Sequence, residues 1–371
     1  MSPAFSSARR AAAFAFLLLL LLLLPVLLGR RLLPPREQIY SSVPWRNGPY
    51  PYLHNLIFEQ KGDIDVAFMG DSPVYYGIDT PYVEAAFSKA LGRKASVVTA
   101  AWFFAGADAL YFVAKDLLTN RKVNTIVFVD VAEDSTSNAH QAAPYWFRFG
   151  DDAEALRGLP AGTIAQYYFA SILGMPRNVL SLIRPNCSDY LYSPERIHFL
   201  HSPHPYYNIA NPATRLGSLS MEIGYQFADF VPYSPVTRSS PSDACVYSPA
   251  TADRFRFSTD PMAPIQRHFA EKFGELARMH GTRLVLLTIP GKMSRIGDSF
   301  IQETESWPEI LGSDVTMVGI PPARMFSGIP PGEVDKLFAH DGNHLNRNGQ
   351  SYFTKLITPA LLNIYESQNS H

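Results

Sequence analysis

The chain has 371 residues, 47% of them hydrophobic and 18% charged, enough apolar material for a substantial core and the wrong balance for a disordered polymer. Its 32 basic and 33 acidic residues leave a formal net charge of -1, so no basic stripe argues for a nucleic-acid partner. Length allows two or three domains, or one elaborated α/β domain.

The first 40 residues stand apart. After a tail of residues 1–10, Ala11 to Gly29 carries no charge and centres on an unbroken run from Leu17 to Leu24, long enough to cross a bilayer as a helix. A cleaved signal peptide is the competing reading. The run is long for one, however, and the following Arg30-Arg31-Leu32-Leu33-Pro34-Pro35 lacks a small-x-small cleavage site. Residues 11–29 therefore read as a single uncleaved transmembrane anchor. Arg9 and Arg10 on one side balance Arg30, Arg31 and Arg36 on the other, so charge does not choose the orientation. Residues 30–60, rich in Pro and aromatics without sustained periodicity, read as a stem.

Short apolar runs then alternate with amphipathic stretches. Ile64 to Met69 predicts a buried strand, Thr80 to Leu91 a helix, Ala95 to Ala100 a strand, Ala107 to Leu118 a helix and Thr125 to Val131 a strand. The pattern breaks over about 140–258, a stretch rich in Pro, Tyr, Ser and His with local helical candidates such as Thr163 to Leu173. So long an insertion predicts a substructure or cap beside the site. The alternation resumes with a helix over Pro261 to His280, a strand over Arg283 to Ile289 and a last helix over Gly349 to Tyr365. Strand-helix alternation predicts a parallel sheet covered by helices on both faces. Cys187 and Cys245 suit either a disulfide or two buried thiols.

Two blocks carry chemistry. Phe68-Met69-Gly70-Asp71-Ser72-Pro73 sets a serine directly after a buried strand, where parallel sheets open toward ligands. There Ser72 can present its hydroxyl and offer its backbone N–H to an oxyanion, or it can simply cap the next segment. Asp341-Gly342-Asn343-His344-Leu345-Asn346-Arg347-Asn348-Gly349 sets an aspartate three residues before a histidine on a loop. Asp341 can accept the imidazole N–H and leave the other ring nitrogen of His344 as the base a serine requires. In isolation, each block also reads as a helix-capping loop.

Together they resemble the SGNH or GDSL-type hydrolases. Gly70, Asp71 and Ser72 match that family's first block; Asp341, His344, Leu345 and Gly349 match its last. The resemblance covers perhaps residues 61–135 and 260–367, not the insertion. It implies a flavodoxin-like three-layer α/β/α domain over 61–371, with Ser72 as nucleophile, His344 as base and Asp341 orienting it. The family also takes oxyanion donors from a glycine after its second strand and an asparagine after its third. Gly106 stands where the glycine belongs, but the Gly-x-Asn-Asp block is missing, and Asn138 is the nearest asparagine.

No cofactor or metal is expected. His198, His201 and His204 recur every three residues, but Pro203 and Pro205 break any helix that would align them. The insertion's aromatics, including Tyr145, Trp146, Tyr167, Tyr168, Tyr206 and Tyr207, suit sugar stacking or simple packing. A triad implies acyl transfer through an acyl-enzyme. Anchor, stem and SGNH-like domain together are similar in layout to envelope proteins such as the D-alanyl transfer proteins of teichoic acid synthesis. That likeness implies a single-pass protein of a bacterial inner membrane, residues 1–10 cytoplasmic and the catalytic domain extracytoplasmic. It implies O-acyl (O-acetyl) transfer to an extracytoplasmic polysaccharide, beside a multi-pass membrane-bound O-acyltransferase. An esterase on the same substrates and a catalytically weak binding or scaffold protein are the alternatives.

Overall fold

The computed structural model describes residues 6–28, 36–38, 40, 53–101, 106–129, 139, 143–169, 171, 245–247, 263–289, 315–319, 326, 329, 331–338 and 344–369. A helix α1 (Ala8–Leu28) precedes the domain. Strands β1 (Ile64–Gly70), β2 (Val97–Ala101) and β3 (Val123–Val129) alternate with helices α2 (Ser72–Gly77), α3 (Thr80–Leu91) and α4 (Ala107–Asn120). After β4 (Cys245–Tyr247) come α5 (Pro264–Met279), β5 (Arg283–Leu287), β6 (Thr316–Gly319) and α6 (Arg347–Asn369).

The strands form one sheet in the order β2-β1-β3-β5-β6-β4. The first five strands in that order run parallel, and β4 closes the edge antiparallel to β6. The parallel part has the strand order of a flavodoxin-like sheet, in which the chain's progress across the sheet reverses between β1 and β3 and opens a crevice at the strands' carboxyl ends. Side-chain alternation tells the two faces apart. Phe128 on β3 meets Phe273 of α5, with ring centroids 4.9 Å apart. Arg283, the register partner of Thr125 and hence on the other face, donates to the Ile364 carbonyl of α6 at 2.6 Å. Helices thus cover both faces, α4 and α5 packing together on one, α6 with α2 and α3 on the other.

Buried on nearly every side, α4 has Ala107 through Ala114 and Asp116 through Leu118 all inaccessible. A helix this enclosed needs a cover on its outer side. The cover comes from the stretch read as a stem and from the start of the insertion. Tyr40, Leu53, Leu56, Ile57, Trp146, Phe147 and Tyr167 are all buried in the same core. Trp146 and Tyr167 are therefore core packing rather than a sugar platform. A polar cluster fastens this cover: Arg36 pairs with Asp116 and, at 2.9 Å, with Asp152, while Tyr40 donates to Asp116 at 2.8 Å and Lys115 reaches Asp152 at 2.5 Å. Burial opposes the Arg36 charge, but the two carboxylates outweigh it and hold the guanidinium protonated. Burial pushes Asp116 up despite Arg36, whereas for Asp152 the pull of Arg36 and Lys115 together prevails and its carboxyl lies below the usual range.

Among the described residues no helix is long and apolar enough to cross a membrane. Within α1 the side chains of residue 22 and residues 24–28 lie outside the description, which leaves a shorter described run than a span requires. In the described part Phe14, Phe16 and Leu17 to Leu21 are all exposed, the pattern of an apolar helix that the domain itself does not cover.

Candidate functional site

At the end of β1, Gly70 is squeezed between two elements. A Cβ there would lie 2.6 Å from Val74 Cγ2 of α2 and 3.1 Å from Val129 Cβ of β3, so the strand can pass into α2 beside β3 only without a side chain. This close approach, not a positive φ, is the reason for glycine. Asp71 follows in extended conformation at the cap position of α2, 6% exposed, and its carbonyl accepts from Val74 N at 3.1 Å. Ser72 is the first helical residue, with Pro73 behind it. The capping position thus belongs to Asp71 rather than to Ser72, at the carboxyl edge where β1 and β3 adjoin.

His344 lies on a bend just before Leu345, which forms an antiparallel bridge with Phe338, and its ring is half-buried. Asn346 locks this turn. Its Nδ2 donates to the carbonyls of Lys336 at 2.6 Å and Phe338 at 3.0 Å, and its Oδ1 accepts from Asn348 N at 2.8 Å and Gly349 N at 3.1 Å. One side chain therefore caps α6 and ties its entrance to the preceding loop. Gly349 completes the fit, since a Cβ would fall 2.1 Å from the Leu337 carbonyl oxygen.

The helices that follow the two blocks pack directly on each other. Gln350 Nε2 donates to the Ile78 carbonyl at 3.2 Å across 272 residues of sequence, and the Thr354 hydroxyl donates to the Gly77 carbonyl at 3.2 Å across 277. Asp79 N in turn donates to Thr354 Oγ1 at 2.9 Å. These bonds join the end of α2 to the first turns of α6, the two helices that follow the two blocks. Asp341 and Asn138 lie outside the described residues.

Gly106 caps α4 at the same carboxyl edge, with unremarkable backbone angles of φ -84 and ψ 163. Its constraint is again steric: an added Cβ would lie 2.7 Å from Asp108 Oδ1 and 2.8 Å from Gln266 Oε1. Ala107 N donates to Gln266 Oε1 at 2.7 Å, while Asp108, fully buried, accepts from Ala109 N at 2.9 Å and from the Tyr167 hydroxyl at 2.6 Å. Burial, reinforced by Asp108, pushes the Tyr167 hydroxyl well above its ordinary pKa, so it remains a donor. Sequence reading missed Asp108, Gln266 and Asn346. Only Asn346 had a local signal, an asparagine opening a helix with glycine three residues on.

Among the described residues no group of three or more His, Cys, Asp or Glu side chains could hold a metal ion. His198, His201, His204 and Cys187 lie outside the description, and Cys245 is placed only as the first residue of β4. No family model matches the chain, and a search of the curated proteins finds no match.

Proposed function

We propose that this is a membrane-anchored serine acyltransferase of SGNH type, moving O-acyl groups, foremost O-acetyl, on an extracytoplasmic polysaccharide. The observation that carries the reading is the joining of α2 to α6 by Gln350 and Thr354, which brings the chain after Ser72 and the chain after His344 together. In the reaction Ser72 Oγ bonds to the acyl carbon of the donor ester as His344 takes the hydroxyl proton, with Asp341 holding the imidazole. The carbonyl electron pair moves onto oxygen, where the backbone N–H of Ser72 and Gly106 stabilise it, with Asn138 a further candidate donor. Collapse breaks the ester C–O bond, and His344 returns its proton to the leaving alcohol. A polymer hydroxyl then repeats the sequence in reverse and carries the acyl group away.

The exposed apolar surface of α1 supports residues 11–29 as an inner-membrane anchor with the domain on the extracytoplasmic side. A multi-pass O-acyltransferase that delivers the acyl group across the bilayer is the partner such a layout suits. If the acceptor is water, the same chemistry is that of an esterase. The missing Gly-x-Asn-Asp block favours a third reading, a weakly catalytic binding protein of the same system.

Full-length chain in detergent, given p-nitrophenyl acetate with and without oligosaccharide, separates these readings. Release of p-nitrophenol that depends on Ser72 and is accelerated by the saccharide, with acetyl recovered on the sugar, selects the transferase. Release unchanged by saccharide selects the esterase, and equal rates for wild type and Ser72→Ala eliminate both. A reporter fused after residue 371 that is active only in the cytoplasm would overturn the envelope assignment.

A further inference from the structure

The amino-terminal turn of α4 holds a second feature that the proposed reaction has not used. Because α4 and α5 each lead into a parallel strand, both run from the carboxyl edge of the sheet to its amino edge. Gln266, the third residue of α5, therefore sits at the carboxyl edge and lays its carboxamide on the entrance to α4. Only 3% of this residue is exposed. Its Oε1 takes the Ala107 N–H at 2.7 Å, which fixes the orientation of the amide, and its buried Nε2 has no hydrogen-bond partner among the described residues.

A buried donor left without an acceptor costs free energy, and a catalytic or binding role is one of the reasons a native fold keeps one. The chemistry of Nε2 is narrow: it donates and cannot accept, so its complement is a carbonyl oxygen or an oxyanion rather than a cation. The neighbouring carboxylate of Asp108 is already engaged by Ala109 N and Tyr167, and α4, 14 residues long, directs the positive end of its dipole to this turn. Location supplies the occupant. Gly70 and Ala101 are register partners at the ends of β1 and β2, so the chains leading to Ser72 and to Gly106 leave the sheet side by side.

We infer that Gln266 is a donor to the acyl oxygen at Ser72: its Nε2–H receives the oxygen as negative charge develops there, while its Oε1 keeps the α4 entrance in place. This rests on the acyl-transfer reading above. No proton moves on Gln266; it supplies a hydrogen bond that strengthens as the carbonyl becomes an oxyanion.

The test uses full-length protein in detergent. Gln266→Glu keeps the oxygen that Ala107 N–H requires and nearly the same volume, but puts an acceptor in place of the donor. Its kcat for Ser72-dependent ester turnover should fall about 10²-fold to 10³-fold, with KM changed far less. Gln266→Met, which removes the donor without adding a charge, should show the same kcat loss. A second readout does not depend on how the variants fold. In ¹⁵N-labelled wild type, the Gln266 side-chain amide resonances should shift when Ser72 is phosphonylated, the P=O oxygen standing in for the acyl oxygen. They should not shift in Ser72→Ala treated alike. If wild type turns over through Ser72 but Gln266→Glu remains within about threefold of it, or the amide resonances stay still, the inference falls alone. If wild type shows no Ser72-dependent turnover, the acyl-transfer reading falls and takes the inference with it.

Discussion

The two faces of the sheet are held by different physics. On the α4 and α5 face, rings do the packing: Phe269 stands with its centroid 5.6 Å from Tyr111, 5.7 Å from Phe112 and 5.7 Å from Tyr167, all within the core. On the α6 face, Phe87 and Tyr365 make one ring contact, but directional bonds link distant pieces of chain: Thr354 and Gln350 to the end of α2, Arg283 to Ile364, and Asp65 to Tyr365 at 2.6 Å. Ring packing is strong and tolerant of small shifts, whereas a hydrogen bond fixes distance and direction. The face that carries the Ser72 and His344 segments is the one fixed by direction, and the face beneath Gln266 supplies bulk stability.

Substitutions can break this contrast. Phe269→Ala removes the centre of the ring cluster and should destabilise the domain by about 3 to 5 kcal/mol in denaturant titration. Gly349→Ala should come next. In an ordinary helix alanine is favoured over glycine by about 1 kcal/mol, but here the methyl meets the Leu337 carbonyl, so a loss of about 1 to 3 kcal/mol is expected instead. A gain in stability would show that α6 is not pressed against that loop. Thr354→Val conserves shape and removes the bonds to Gly77 and Asp79. It should cost only about 1 to 2 kcal/mol while slowing Ser72-dependent turnover about tenfold, because it displaces α2 against α6 rather than unfolding the domain. A Phe269→Ala protein held below its unfolding transition should retain more activity than Thr354→Val.

The smallest effect is one of pH. Burial raises the Asp65 carboxyl, but Arg93, Tyr365 and Ser96 N together outweigh burial and hold it below the ordinary carboxylate value. A depressed folded pKa stabilises above the unfolded value, about 3.9, and that contribution is lost as pH falls through the folded value. Arg93 is 54% exposed, so screening makes the effect modest. The stability gap between wild type and Asp65→Asn should accordingly narrow as pH drops from about 5 to about 2. A gap that stays constant would remove Asp65 from the directional set.

How much of this was legible follows the range of the forces involved. β1 and α3 were readable almost residue for residue, since β1 is an unbroken buried run and α3 shows a helical apolar spacing; α3 lies over Thr80–Leu91 as expected. β6 and β4 have four and three residues, too few to show a period, and were missed. Residues 30–60 read as a stem because Pro and aromatic residues follow no repeat, yet Tyr40 is fully buried and bonded to Asp116, 76 positions away. On α5 the apolar residues at helical spacing, Ile265, Phe269, Phe273 and Leu276, are all buried, but Met279 at the same spacing is 75% exposed. Gln266 carries no local signal at all, because its partner Ala107 lies 159 residues off. The two blocks are marked by local residues, and Asn346 by the glycine three residues on; the link between the helices that follow them is tertiary, made by Gln350 and Thr354, which no local pattern marks.

The central claim is that Ser72 is a nucleophile served by His344. Intact-protein mass measured after brief incubation of the full-length chain with an activated acetyl ester tests it most directly, with the modified residue located by peptide mapping. The account predicts one acetyl group, on Ser72, absent from Ser72→Ala and forming about 10²-fold or more slowly in His344→Gln. No acetyl on wild type, or the same adduct on Ser72→Ala, would contradict it.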